Sequence, residues 1–443
     1  MEDKDKWGQI DSELFIDKGP LTSLEFGLRL ADHDRKSANV VAQGPGAGAF
    51  DAANFPQSYR NYPGDFGSGF GGNFPRDVWY YTAGDMADYN DQFANRDPVN
   101  RRYPFYDFAL QEKTKAAFIQ ANLEGDRWSG NVGVRVVRTN EDVFQYVPGG
   151  TATTPGAILD SAFGVFSPMT TRNEYTDILP SLNLKFDLTD DLVARFAATK
   201  TLARPDYSAL AGGLNLSPPA DENDVGGGSS SNPNLKPVRS TNFDAALEWY
   251  YAPRAMLSAS VYYMNLGSYV SQGVTQQQFL TFDIAHPDGY MGNYLVSSPI
   301  NAKATVKGFE LALEQPLGDH FGISTNYSYT DAEEDDGDPV VGASRNVFNF
   351  IGYFENEHLN ARVAYNYRSH FYNGLDRRSA FNQDDTQSVS ASLGWTFNDT
   401  FSLTLDGMNL TKEKLKYYAD NEDQPRGIYN NGRQYYLTLR AKF

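Results

Sequence analysis

The sequence predicts an all-β fold, an antiparallel transmembrane β-barrel of about 15 strands, and three observations carry that expectation. Apolar and polar residues alternate with period two along nearly the whole chain, which gives each strand one apolar face. The connections between strands alternate strictly between short and long, the arrangement of periplasmic turns and extracellular loops in an outer-membrane barrel. No run of eighteen apolar residues occurs, so helical membrane spans are excluded, and the mean hydropathy of −0.52 suits strands that are apolar on one side only.

The pattern begins weakly in WGQIDSELFID and sharpens after DKGPLT, where Leu24, Phe26, Leu28 and Leu30 alternate with Glu25 and Arg29. Ala117, Ile119, Ala121 and Leu123 then turn through EGDR into Val132, Val134 and Val136. Leu182, Leu184 and Phe186 turn through LTDD into Leu192, Ala194, Phe196 and Ala198. Phe243, Ala245, Leu247 and Trp249 turn through YAPR into Leu257, Ala259, Val261 and Tyr263. Three more hairpins follow through PLGDH, ENEH and FNDT, and the chain closes on Tyr435, Leu437, Leu439, Ala441 and Phe443. Each strand is expected to be roughly ten residues long, the length a tilted strand needs to cross a bilayer. The long connections are expected at about 33–113, 141–175, 204–241, 268–302, 332–345, 370–385 and 411–432. Aromatic clusters at strand ends, such as Trp249-Tyr250-Tyr251, match interfacial girdles, although Tyr and Phe also favour strands in general.

Bulk composition removes several function classes. The 443 residues include no cysteine, so there is no disulfide framework and no thiolate metal site. A net charge of −18 argues against nucleic acid as a partner, because a phosphate backbone calls for basic residues. MEDKDKWGQIDSELF shows neither the basic nor the apolar region of a secretory signal.

DILPSLNLKFDLTDDLVARFAATKTLARPDYSAL resembles a hairpin of TonB-dependent outer-membrane receptors, and SNPNLKPVRSTNFDAALEWYYAPRAMLSASVYYMNL resembles the pair that follows it. KGFELALEQPL, ARVAYNYRSHF and GRQYYLTLRAKF continue the likeness in the same order, over essentially residues 7–443. The resemblance implies a barrel of roughly 22 strands with a plugged lumen. It also implies a Gram-negative outer-membrane location and uptake of a scarce ligand (a siderophore, vitamin or oligosaccharide) energised by the TonB complex. Outer-membrane lipid and the barrel assembly machinery are the other implied partners. The expected domain is therefore a partial barrel over 1–443, a fragment without plug, TonB box or first strands. A passive porin and a soluble β-rich carbohydrate-binding protein or glycosidase are the alternatives.

The long loop at about 33–113 is the expected binding region, since it is dense in Gly, Pro and rings. Tyr59, Tyr62, Phe66, Phe70, Phe74, Trp79 and Tyr80 offer stacking faces, with Phe55 beside them, and Arg60 and Arg76 offer charged donors. The alternative is that these rings pack the loop onto the barrel rim. Gly67, Gly69 and Gly72 match a dinucleotide fingerprint by spacing but follow no strand and open no helix. DAEEDDGD at 331–338 is acidic enough for a divalent cation, but Asp336 occupies the position where an EF-hand needs Gly. His33, His286, His320, His358 and His370 lack metal-ligand spacing and are expected in loops or turns. No catalytic residue set, cofactor or metal site is expected. The alternation of Tyr435, Leu437 and Leu439 up to the aromatic Phe443 looks like the signal read by the barrel assembly machinery.

Overall fold

The computed structural model describes residues 1–41, 43, 53, 55–56, 59–68, 75–149, 151–281, 285–286, 289–376 and 379–442. One antiparallel sheet holds the chain together, and its long strands number fifteen, as the alternation predicts. They are β1 (Glu2–Lys18), β2 (Leu21–Ser37), β3 (Phe108–Gly125), β4 (Trp128–Pro148) and β5 (Gly164–Asp187). β6 (Leu192–Ala203), β7 (Val238–Ala252), β8 (Ala255–Thr281), β9 (Tyr290–Leu317) and β10 (Phe321–Glu334) follow. β11 (Asn346–Glu355), β12 (Leu359–Arg368), β13 (Thr386–Thr396), β14 (Phe401–Met408) and β15 (Gln434–Ala441) complete the order. Every neighbour in sequence is a neighbour in the sheet. Among the described residues, β1 pairs with β2 alone and β15 with β14 alone.

The register puts all apolar rows on one side. Phe26 faces Ile119, Ile119 faces Val134, Leu182 faces Ala198, Ala198 faces Phe243 and Phe243 faces Tyr263. These side chains are left exposed, Ile119 at 49%, Ile178 at 63% and Val261 at 57%, which is tolerable only where lipid replaces water. Near the short turns the same row carries Phe186, Trp249, Phe321, Phe354, Trp395 and Phe401, a girdle at one interface. Toward the long loops the row turns charged, with Asp32, Lys113, Lys115, Arg138, Asp142, Arg172 and Glu174. There Arg172 pairs with Asp142 at 3.3 Å and Arg138 pairs with Glu174. That change of chemistry marks the edge of the bilayer.

The opposite face is polar. Asn242 donates to Thr199 at 3.2 Å and to Thr201 at 3.1 Å, and Asn122 donates to Ser23 at 3.0 Å. Glycines make room for rings on this face: an added Cβ at Gly27 would strike the Phe118 ring, and one at Gly308 the Tyr262 hydroxyl.

Strands run well past the bilayer edge, and this corrects the expected lengths. β4 has 21 residues, β8 has 27 and β9 has 28. The connections expected at 33–113, 141–175 and 268–302 shrink to 38–107, 149–163 and 282–289. Backbone hydrogen bonds continue in water after the apolar alternation has ended, so a pattern reading stops short of the ladder. His33 is likewise inside β2 rather than in a loop, while His286, His320, His358 and His370 lie outside strands.

Candidate functional site

Above the bilayer edge, the segment between β6 and β7 crosses the polar face instead of looping outward. It leaves β6 at Arg204, forms a helical turn at Tyr207–Leu210, and buries Leu210, Ala211 and Leu235 against Leu110 of β3 and Val143 of β4. Residues Asn215–Ser217 then pair with Val225–Ser229, which lies parallel to β9 at Asn293–Ser297. β9 has this edge free because β10 stops pairing at Ala304. The Gly226-Gly227-Gly228 run permits the approach, since a Cβ at Gly226 would strike the Tyr294 ring. On the way back Asn232 donates to the Pro299 carbonyl at 3.0 Å, and Asn301 accepts from the Lys236 amide at 2.8 Å. The segment is thus a strap across the end of the sheet that carries the long connections.

Two buried glutamates moor both ends of the strap. Glu112 of β3 and Glu141 of β4 are register partners on the polar face, 7% and 2% exposed. Arg204 reaches Glu112 with its Nε at 2.7 Å, holding the start of the strap. Near its end, Asn173 Nδ2 donates to Glu141 Oε1 at 3.0 Å and to the Pro233 carbonyl at 2.6 Å. Burial pushes both carboxyls above the ordinary glutamate range, with Arg204 pulling the other way. Burial also pushes the Tyr207 hydroxyl up to about 12, and its oxygen meets His33 Nδ1 at 2.5 Å.

Between the strap, β8, β9, the loop at Val341 and the short strand Phe371–Asp376 lies a cavity of about 1060 Å³. Arg204, Asp206, Asn215, Tyr269, Gln272 and Asn373 supply most of its polar or aromatic lining. The Tyr269 hydroxyl is fixed by the Val341 amide at 3.1 Å. A second, apolar cleft of about 590 Å³ lined by Phe321, Phe354, Val363 and Leu393 sits on the lipid-facing row and belongs to the membrane belt.

A family profile described as "TonB dependent receptor-like, beta-barrel" matches residues 6–410. The chain belongs to that receptor family. By sequence comparison, no curated protein matches this TonB-dependent receptor barrel. Among solved structures it is similar to the ferric-catecholate import receptor Fiu of E. coli K12, with TM-score 0.62 and 14% identity over 100% of this chain and 55% of that one. It is also similar to the ferric yersiniabactin uptake receptor FyuA of Yersinia pestis, with TM-score 0.57 and 15% identity over 100% of this chain and 55% of that one. The copper transporter OprC gives TM-score 0.59 and 13% identity over 100% of this chain and 57% of that one. The receptor barrel described here therefore spans a little over half the length of these relatives.

Among the described residues of this receptor-family barrel, the aromatic loop does not line the cavity. Arg60-Asn61 pairs with Trp79-Tyr80 in a small hairpin, and Tyr62 stacks on Phe66 at 4.2 Å and leans on Tyr80 at 4.6 Å. Tyr59, 64% exposed, tilts against Trp79 at 5.6 Å, and Arg76 is exposed. None of these residues lines the 1060 Å³ cavity; their rings meet one another instead. Phe70 and Phe74 lie outside the described residues, as do Gly69, Gly72 and Phe443. Tyr435, Leu437 and Leu439 share the lipid-facing row with Gly407, Leu405 and Leu403 of β14. Among the described residues no group of three His, Cys, Asp or Glu side chains is placed to hold a metal ion, and 331–338 is no exception. Sequence reasoning missed Glu112, Glu141, Arg204, Tyr269, Gln272 and Asn373. Glu112 and Glu141 were accessible to it, because extending the period of two places both on the polar face.

The pH dependence of these two groups has a definite sign. Both glutamates hold protons more tightly in the folded protein than in water, so folding takes up protons as pH falls from neutral toward the ordinary glutamate value. The stability they contribute should therefore rise over that range. The denaturation midpoint of the native protein, measured against a Glu112→Gln, Glu141→Gln double variant, should shift upward as pH is lowered. A relative shift of the opposite sign would contradict the assignment.

Proposed function

We propose that this chain is the barrel part of an outer-membrane receptor that captures a scarce small ligand at its extracellular end and imports it with energy delivered by the TonB complex. The strap carries the reading. It converts the wide mouth of a barrel into a walled cavity above the bilayer edge, of the size range that encloses a small molecule. Solved relatives named as import receptors and transporters support a transport role, and the exposed apolar row supports insertion in a membrane. Tyr435, Leu437 and Leu439 act in this reading as the segment handed to the barrel assembly machinery. The aromatic hairpin around Tyr59 and Trp79 serves as an outer contact for ligand.

The test uses cells that produce the native receptor. Surface binding of ligand should survive an uncoupler or deletion of TonB, while accumulation inside the cell should fall to the level of a strain lacking the gene. Accumulation that persists without proton-motive force would establish passive diffusion instead.

A further inference from the structure

Resting on the receptor reading, we propose that the cavity beneath the strap takes an uncharged, polyhydroxylated ligand, an oligosaccharide of a few units, and not an anionic metal chelate. The lining chemistry carries the inference. Asn215, Gln272 and Asn373 are primary amides, each both donor and acceptor, the pairing that sugar hydroxyls require. Among the described lining residues the charged side chains are one cation, Arg204, and one anion, Asp206. Arg204 is already committed to Glu112 at 2.7 Å and so has little charge to offer an anion. Tyr269, its hydroxyl fixed by Val341, presents a ring held in one place for an apolar sugar face.

The surroundings point the same way. The acidic run 331–338 stands just before Val341 on the cavity wall, and the chain as a whole carries −18. Such a field slows and weakens the approach of an anion. A bare metal ion is disfavoured on different grounds, since no metal-binding cluster exists among the described residues. What remains is a neutral solute recognised by hydrogen bonds, a mode that discriminates because an amide covered by the bound ligand and left unpaired is costly.

The native receptor, purified in detergent from the envelope of producing cells, is titrated calorimetrically with maltohexaose, cellohexaose and xylohexaose. Hexagalacturonate and ferric enterobactin serve as anionic probes. At least one neutral hexasaccharide should bind, with little salt dependence, and both anions should not. Gln272→Ala and Asn373→Ala should each weaken that binding about tenfold, the loss of roughly one hydrogen bond. Arg377 and Arg378 follow Leu375 in the sequence and lie outside the described residues. Their double substitution by Ser should leave sugar binding unchanged. Preference for either anion, or failure of all three neutral sugars to bind, overturns the proposal. Growth of a strain lacking the gene separates that failure from failure of the receptor reading. A defect confined to iron-limited medium rejects the sugar and keeps the receptor, whereas normal growth on both iron-limited and oligosaccharide-limited media rejects both.

Discussion

Replacing Arg204 by Ala should release the strap. Glu112 and Glu141 would remain side by side on the polar face without the guanidinium that pairs with Glu112, and removing one partner of a buried ion pair costs about 3–5 kcal/mol. Arg204 is 32% exposed, so the lower end, roughly 3 kcal/mol or about a hundredfold in the opening equilibrium, is expected. Hydrogen exchange or protease cleavage within 204–237 should accelerate by that order, while the strands below the bilayer edge remain protected. The double variant Arg204→Ala with Glu112→Gln should recover part of the loss, because it removes the stranded charge as well. Equal protection in wild type and Arg204→Ala would show that Leu210, Ala211 and Leu235 hold the strap without the ion pair.

Ile119→Arg and Gln120→Arg, one residue apart, should differ sharply. Ile119 lies on the exposed apolar row between Phe26 and Val134, well inside the girdle, and Gln120 points to the polar face. An arginine at a lipid-facing midplane position costs roughly 2–4 kcal/mol, and one on the lumen side costs far less. Folding yield into lipid vesicles, read by heat-dependent gel mobility, should fall steeply for Ile119→Arg and stay near wild type for Gln120→Arg. Similar yields for the two would mean that the apolar row does not face lipid.

The apolar alternation of the sequence by itself determined fifteen strands, their order, their lipid-facing residues and the alternation of short and long connections. Leu182 beside Ala198 and Phe243 beside Tyr263 follow from period two and short turns alone, because a one-residue slip would put every apolar side chain on the wrong face. The candidate site was not legible in this way. Tyr59, Tyr62 and Trp79 stood out as a loop rich in rings, yet the structure turns those rings on one another. Arg204, Glu112, Asn173, Gln272 and Asn373 come from five separate stretches of chain, and no local pattern links them. Their meeting depends on how far β8 and β9 run beyond the bilayer and on a strap that finds a free edge on β9. Lipid imposes a periodic demand on every residue that touches it, and a periodic demand is written in sequence. Above the membrane water satisfies any exposed polar group, the demand lapses, and only tertiary contacts decide which side chains come together.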